Sequence, residues 1–443
     1  MKLSRKLLSL ALTGAVISIT LAWHPITARA EEDGAAPADE SSKSAEDGAK
    51  NETDGKDIEP AADTDNDKDK ENEVVVTATR TKEDPNKTPR GISRVDWKDM
   101  EKRGPSAGTT AELVRGEPGV YVQQTGRHGG APIIRGMIGK YILPLYDGVR
   151  LTDGTIFAGP NSFFNNVDRF TISRIEIVRG PSSLFYGSDA LGGTLNMIPK
   201  RYGAFPDSYE FGFGAESRYR SVSNMFSERI ELMGGIKLFN YYVGGTFIDS
   251  GDSRGGASLG KLFNTSFTEI NFDARAALQL ADGHVLEGAY VRTEQRNVYR
   301  YDQPWETPDM NEWWKAHAAL YLTGSGLRKR MNRSPLSITQ IASLTYTGEN
   351  PTEFWDEVVA KFYWRGQYDE GERGSEQTNT RTVSTSIGHQ NTYGFSTQFA
   401  WQIAEINKVV YGIDTRLDDV YAGRAWTITY DKATGDRLSH VQD

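Results

Sequence analysis

Residues 116–200 read GEPGVYVQQTGRHGGAPIIRGMIGKYILPLYDGVRLTDGTIFAGPNSFFNNVDRFTISRIEIVRGPSSLFYGSDALGGTLNMIPK. Short apolar runs alternate here with glycine and proline turns. Val120 to Gln123, Ile133 to Arg135, Tyr141 to Tyr146, Ile172 to Val178 and Gly193 to Ile198 each have strand length. Asp147-Gly148, between the run ending at Tyr146 and Val149-Arg150-Leu151, is a hairpin signal. Arg179-Gly180-Pro181 breaks the next strand, and Ser182 to Tyr186 has room for one turn of helix. Upstream, Asp96 to Glu101 and Thr109 to Val114 read as short helices, the second with a threonine cap.

Four phrases carry a resemblance. They are Ile133-Ile134-Arg135-Gly136; Tyr146-Asp147-Gly148-Val149-Arg150; Ile175-Glu176-Ile177-Val178-Arg179-Gly180-Pro181; and Tyr186 to Gly193 followed by Leu195-Asn196-Met197-Ile198. In this order they resemble the plug domain of TonB-dependent outer-membrane receptors. The resemblance implies a small α+β plug at residues 81–199 inside a transmembrane antiparallel β-barrel, 22-stranded in the family. The implied location is the outer membrane of a Gram-negative-type bacterium. Plug arginines of such receptors pair with acids of the wall or of neighbouring plug strands. Arg135, Glu176 and Arg179 are thus candidate plug–barrel contacts, with a purely structural salt bridge as the alternative. Arg127 and His128 sit in a glycine-rich turn that the resemblance directs toward ligand, though a plain loop histidine fits as well.

Residues 1–30 read as a targeting segment. Lys2, Arg5 and Lys6 precede the mostly apolar run Leu7 to Trp23, and Ala28-Arg29-Ala30 has the form of a cleavage site. A single-helix anchor is the alternative, but Thr13, Ser18 and Thr20 interrupt the run. Residues 31–72 are an acidic, low-complexity linker. With Glu73 included, the stretch holds 17 acids against 5 lysines. Such a segment buries too little apolar surface to offset the entropy of ordering it. Asp63, Asp65 and Asp67 have the spacing that opens a calcium loop. Lys68 stands where that loop needs glycine, and Val74 where it needs glutamate, so they read as solvated charge.

Residues 73–80, Glu73-Val74-Val75-Val76-Thr77-Ala78-Thr79-Arg80, close the linker with an extended, β-branched run. It reads either as the first strand of the next domain or as a strand offered to another protein's sheet edge. It looks like the TonB box of the family, which makes TonB the expected partner.

Residues 200–443 have a different texture. Eleven runs read as strands: Tyr209 to Arg218, Phe226 to Gly234, Phe239 to Ile248, Thr268 to Leu278, His284 to Thr293, Ile338 to Thr347, Glu357 to Gln367, Arg381 to His389, Ser396 to Ala404, Val409 to Leu417 and Ala425 to Tyr430. Segments of about ten residues with period-two alternation suit tilted membrane strands. A soluble β-sandwich is the alternative. Eleven strands are about half of the family's barrel, and Ser439 to Asp443 reads as a polar loop. A truncated, split or disrupted sequence is therefore expected.

Composition narrows the function. The chain of 443 residues has net charge −9 and no cysteine. That excludes disulfides and thiolate metal sites. The linker accounts for the acidity and leaves residues 74–443 at −1, without the positive excess of a nucleic-acid surface. No phosphate loop or His-Glu-x-x-His occurs. The Gly-x-Ser-x-Gly spacings around Ser106, Ser253 and Ser258 fall in glycine-rich stretches with no strand-to-helix elbow. Neither an enzyme nor a resident cofactor or metal is expected. The expected partners are TonB, outer-membrane lipid and a small-molecule metal chelate, siderophore or haem; cobalamin, carbohydrate and other metal chelates stay open.

Overall fold

The computed structural model describes residues 16–21, 26–27, 80, 91–103, 107–124, 126, 130–152, 163–255, 261–262, 265–299, 330–352, 354–376, 379–404, 407–431 and 434–441. The linker, Glu73 to Ala78, and Arg127 and His128 lie outside the described residues. Within the segment read as a signal, β1 (Val16–Leu21) and β2 (Ile26–Thr27) run antiparallel along the first long strand downstream.

The plug has a five-stranded sheet and a separate hairpin. Its elements are β3 (Gly91–Asp96), α1 (Trp97–Arg103), β4 (Val120–Gln124), β5 (Gly130–Ile134), β6 (Ile142–Tyr146), β7 (Val149–Arg150), β8 (Ile172–Arg179), α2 (Ser183–Tyr186) and β9 (Gly193–Pro199). Sheet order is β3-β8-β9-β6-β7, with β6 and β9 parallel and the other pairs antiparallel; β4 and β5 form the hairpin. Every residue of β9 is buried, which explains why it reads as an apolar run without alternation. Asp147 and Gly148 both take positive φ, 51° and 79°. A tight turn of that hand matches the twist of the strands it joins. A 3₁₀ turn at Thr110–Val114 replaces the expected helix, and the Glu112 carboxylate accepts the Thr109 backbone N–H at 2.9 Å.

Ten further strands form an antiparallel meander in chain order. They are β10 (Glu210–Arg220), β11 (Met225–Ile236), β12 (Phe239–Ser250), β13 (Phe267–Ala281), β14 (His284–Tyr299), β15 (Arg330–Thr352), β16 (Trp355–Glu376), β17 (Thr380–Ala404), β18 (Asn407–Asp431) and β19 (Arg437–Val441). The sheet is an unclosed barrel wall: among the described residues β10 and β19 do not pair. Side chains alternate across it. Ile230, Leu232, Phe272 and Phe362 are exposed on one face, while Arg229, Thr246, Asp273 and Gln367 are buried on the other, which wraps the plug.

Two corrections concern the strand count. Arg381 to His389 and Ser396 to Ala404 are one strand, β17, and Val409 to Leu417 and Ala425 to Tyr430 are one strand, β18. The polar residues that seemed to separate the first pair belong to the inner face. Gln390 and Thr392 both donate to the Asp418 carboxylate, at 3.0 and 2.7 Å. Likewise Ser439 to Val441, read as loop, pairs with Thr427 to Thr429 as part of β19. The later strands also exceed ten residues. At about 3.3 Å per residue, a 25-residue strand runs roughly 80 Å, far more than a tilted crossing of about 30 Å of hydrocarbon needs.

Plug and wall share one core. Val291 of β14, Ile341 of β15 and Tyr363 of β16 are buried with Val95, Ile142, Tyr146, Ile175, Leu195 and Met197 of the plug. At the start of β9, a methyl carbon on Gly193 would lie 2.6 Å from the Val178 carbonyl oxygen and 3.0 Å from Ile134 Cδ1. Gly193→Ala should therefore strain the β8–β9 ladder by about 1–3 kcal/mol. Gly288→Ala, at a site with no atom within 4 Å, should be close to neutral. Hydrogen exchange of the β8 and β9 amides in the purified protein checks both.

Candidate functional site

Two polar clusters join the plug to the wall, each centred on one plug aspartate. The first is at the turn between β6 and β7. The Asp147 carboxylate meets Arg201 at 2.9 Å, Arg275 of β13 at 3.1 Å and Lys361 of β16 at 3.5 Å. Lys361 also donates to the Asp147 carbonyl at 2.5 Å. Glu287 of β14 neutralises part of this charge through Arg275 at 3.0 Å and Arg201 at 3.6 Å. Positive φ at Asp147 and Gly148 pushes the turn out from the sheet toward the wall. Burial alone would raise the Asp147 carboxyl, but the cations of Lys361, Arg275 and Arg201 overcome it and hold it well below the usual carboxylate range.

The second cluster is organised differently. Asp168 caps the 3₁₀ turn at Arg169–Thr171 and accepts the Phe170 backbone N–H at 3.0 Å. Its wall partner is Arg229 of β11, at 3.6 Å. Arg229 is already engaged by the wall: Glu231 at 2.6 Å, Asp273 and Thr246 at 2.8 Å, and the Tyr242 hydroxyl at 3.0 Å. Burial pushes the Asp168 carboxyl up; the shared Arg229 opposes this, and nearby Glu269 adds to it. Close by, Gln295 of β14 donates to the Asn165 carbonyl at 2.6 Å and to Glu269 at 3.0 Å. Lys200, at the exit from the plug, pairs with Glu231 at 2.7 Å and lies 4.0 Å from the Trp97 ring centre.

Between plug and wall lies a cavity of about 900 Å³, lined among others by Trp97, Asp147, Tyr202, Met233, Tyr242 and Lys361. Arg80 is at its edge. It pairs with Asp414 of β18 at 3.0 Å, lies 4.6 Å from the Tyr186 ring centre, and accepts from Gln398 of β17 through its carbonyl. The residue that follows the β-branched segment 73–79 thus touches both wall and plug.

The residues named from sequence as plug–barrel contacts have their described partners within the plug. Exposed Arg135, at φ 51°, packs against Gly91 and Gly180. Buried Glu176 meets Arg174 at 2.9 Å, and Arg179 donates to the Ser93 hydroxyl. Glu176 thus pairs along its own strand, β8, and Arg179 with neighbouring β3. Asp147 was legible only as a turn residue. Its role depends on Arg275 and Lys361, which stand at inner-face positions more than a hundred residues away.

Asp147→Asn should loosen the plug at neutral pH by about 3 kcal/mol, because it removes the shared anion of a largely buried ion cluster. The contribution of the charged group is present above the ordinary carboxylate range. It is lost only as pH falls through the depressed folded value, so the variant's deficit should persist into mild acid. Asp168→Asn should be tolerated within about 1 kcal/mol at neutral pH, since it removes a charge that burial disfavours. As pH falls through the raised Asp168 value, the wild type should gain stability relative to this variant. Hydrogen exchange of β6 and the Asp168 turn across pH reads both.

The TonB-dependent Receptor Plug Domain family matches residues 84–194. A hemin receptor of Yersinia pestis is 44% identical over 91 residues, 20% of this chain and 13% of that protein. The vitamin B12 transporter BtuB of Vibrio vulnificus is 32% identical over 127 residues, 28% of this chain and 20% of that protein. Among solved structures, the FrpB iron transporter of Neisseria meningitidis (F5-1 variant) superposes with a TM-score of 0.57 at 16% identity. The match covers 77% of this chain and 49% of FrpB. The ferric yersiniabactin uptake receptor FyuA of Yersinia pestis gives 0.51 at 10% identity, over 80% of this chain and 60% of FyuA. The matches thus span a fifth or less of these curated relatives and about half of the solved receptors. These relatives are transport receptors rather than enzymes. Residues 84–194 thus match the plug domain of TonB-dependent receptors, and with that plug seated against an antiparallel wall the chain is similar in fold to these receptors, a family of β-barrel proteins of the Gram-negative outer membrane.

Proposed function

We propose that the protein takes up a scarce, bulky solute across the outer membrane, driven by TonB acting on residues 73–79. The observation that carries this reading is the plug held against the inner face of the wall by buried ion pairs. A plug fixed by polar contacts blocks passage at rest, and a pull on the segment before Arg80 reaches wall and plug together. The solute class we favour is an iron chelate, siderophore or haem. It rests on the resemblance of the plug phrases to haem and iron-chelate receptors and on the 44% identity over 91 residues to the Yersinia pestis hemin receptor. Arg127 and His128, in the glycine-rich sequence between β4 and β5, are the proposed ligand contacts.

A second reading has a specific observation behind it. The 32% identity to BtuB over 127 residues favours cobalamin as the solute. A plug-bearing binding protein that conducts nothing is the rival from another class.

In cells carrying the full-length receptor, deletion of residues 73–79 should abolish accumulation of the bound solute. Surface binding should be unchanged. Hemin and cyanocobalamin are the two probes, each followed by radiolabel. A parent that binds either probe and never accumulates it would sink the transport reading in favour of the rival.

A further inference from the structure

Two wall glycines stand directly beside the side chains that reach the plug. Gly244 of β12 lies on the inner face, flanked by Glu231 and Asp273 in the strand register. A methyl carbon there would lie 2.7 Å from Arg229 Cζ and 3.0 Å from Asp273 Oδ1, and would overlap the guanidinium nitrogen that binds Asp273. Gly394 of β17 pairs with Tyr363 of β16. A methyl carbon there would overlap the Tyr363 ring and hydroxyl. Glycine within a strand weakens it and marks a place where another group approaches closely. Here the approaching groups are Arg229, which faces plug Asp168, and Tyr363, which is buried in the shared core.

We propose that Gly244 and Gly394 are plug-seating positions: gaps that let Arg229 and Tyr363 lie flat along the wall at the height at which the plug rests on them. Any Cβ would lift these side chains toward the plug by the thickness of a methyl group. The Arg229 fork would then lose its line to Asp273, and the Tyr363 ring would press on packed plug residues. The plug reciprocates at Gly108, where a Cβ would collide with the guanidinium of Arg220 from β10. These are positioning residues, since they act through Arg229 and Tyr363. The proposal rests on the docked plug and is independent of which solute passes.

The chain has no cysteine, so one introduced thiol gives a clean reporter. Ala111 is fully buried in the plug core, and Ala111→Cys in the full chain, in outer-membrane vesicles, reports plug opening by its maleimide labelling rate. Gly244→Ala and Gly394→Ala should each speed labelling by about tenfold, within the range that overpacking produces. Gly288→Ala should leave it unchanged. In an Arg229→Ala background Gly244→Ala should add nothing, and likewise Gly394→Ala in a Tyr363→Ala background. Unchanged rates in the glycine variants, or effects that persist in those backgrounds, overturn the proposal. If an alanine variant fails to assemble, Arg229→Ala and Tyr363→Ala decide: each must speed labelling on its own, or the side chains do not seat the plug. Loss of uptake in the parent together with the expected labelling pattern overturns the transport reading alone.

Discussion

A carboxylate taken out of water keeps its charge only if cations come with it. Asp147 is such a group, and much of the architecture serves it. The tight turn projects it from the sheet, and three strands of the wall supply its surroundings: β13 brings Arg275, β14 brings Glu287 and β16 brings Lys361. None of these partners is local in sequence. The contact therefore exists only when plug and wall are both folded and in register, which makes it a check on the whole assembly.

The two aspartate clusters differ in where the charge balance lies. At Asp147 the plug supplies the anion that cations of the wall and of the plug's exit segment converge on. Withdrawing it leaves Arg275, Lys361 and Arg201 with Glu287 as the acid between them. At Asp168 the wall has already satisfied Arg229 with Glu231 and Asp273. Withdrawing the plug there leaves little uncompensated charge behind. One end of the plug is thus anchored electrostatically, and the other is chiefly seated by shape, through Phe170 packed with Met225, Ile248, Phe267 and Val298. A plug that must be both retained and displaced needs contacts of each kind.

Much of the plug was legible because its signals are local. Asp147-Gly148 demands one kind of turn, and the apolar runs around Ile177 and Leu195 demand burial. The early wall strands were legible through period-two alternation, as at Ile230 and Leu232 against Arg229. The reading failed where inner-face polarity imitates a turn: the polar and glycine residues from Gln390 to Gly394 look like a break and are continuous strand. It left open whether Arg135, Glu176 and Arg179 face the wall or other plug strands. A charged residue in a strand shows that it needs a partner without showing which neighbour will provide one. Asp147, Arg275 and Lys361 became a site only through strand register across the lumen.

The topology sets two different clocks for folding. From β11 to β18 each wall strand pairs with the strand before and after it in sequence, so the meander can grow hairpin by hairpin with modest loop-closure cost at each step. The plug sheet cannot. Its parallel β6–β9 pair joins Ile142 to Gly193 across the whole β7–β8–α2 excursion, and such non-local pairing is intrinsically slow. Yet the plug precedes the wall in the chain. The slower element is made first and must be enclosed by the faster one. The shared core of Val291, Ile341 and Tyr363 with the plug then serves as the template on which a quickly zippered wall takes up its curvature.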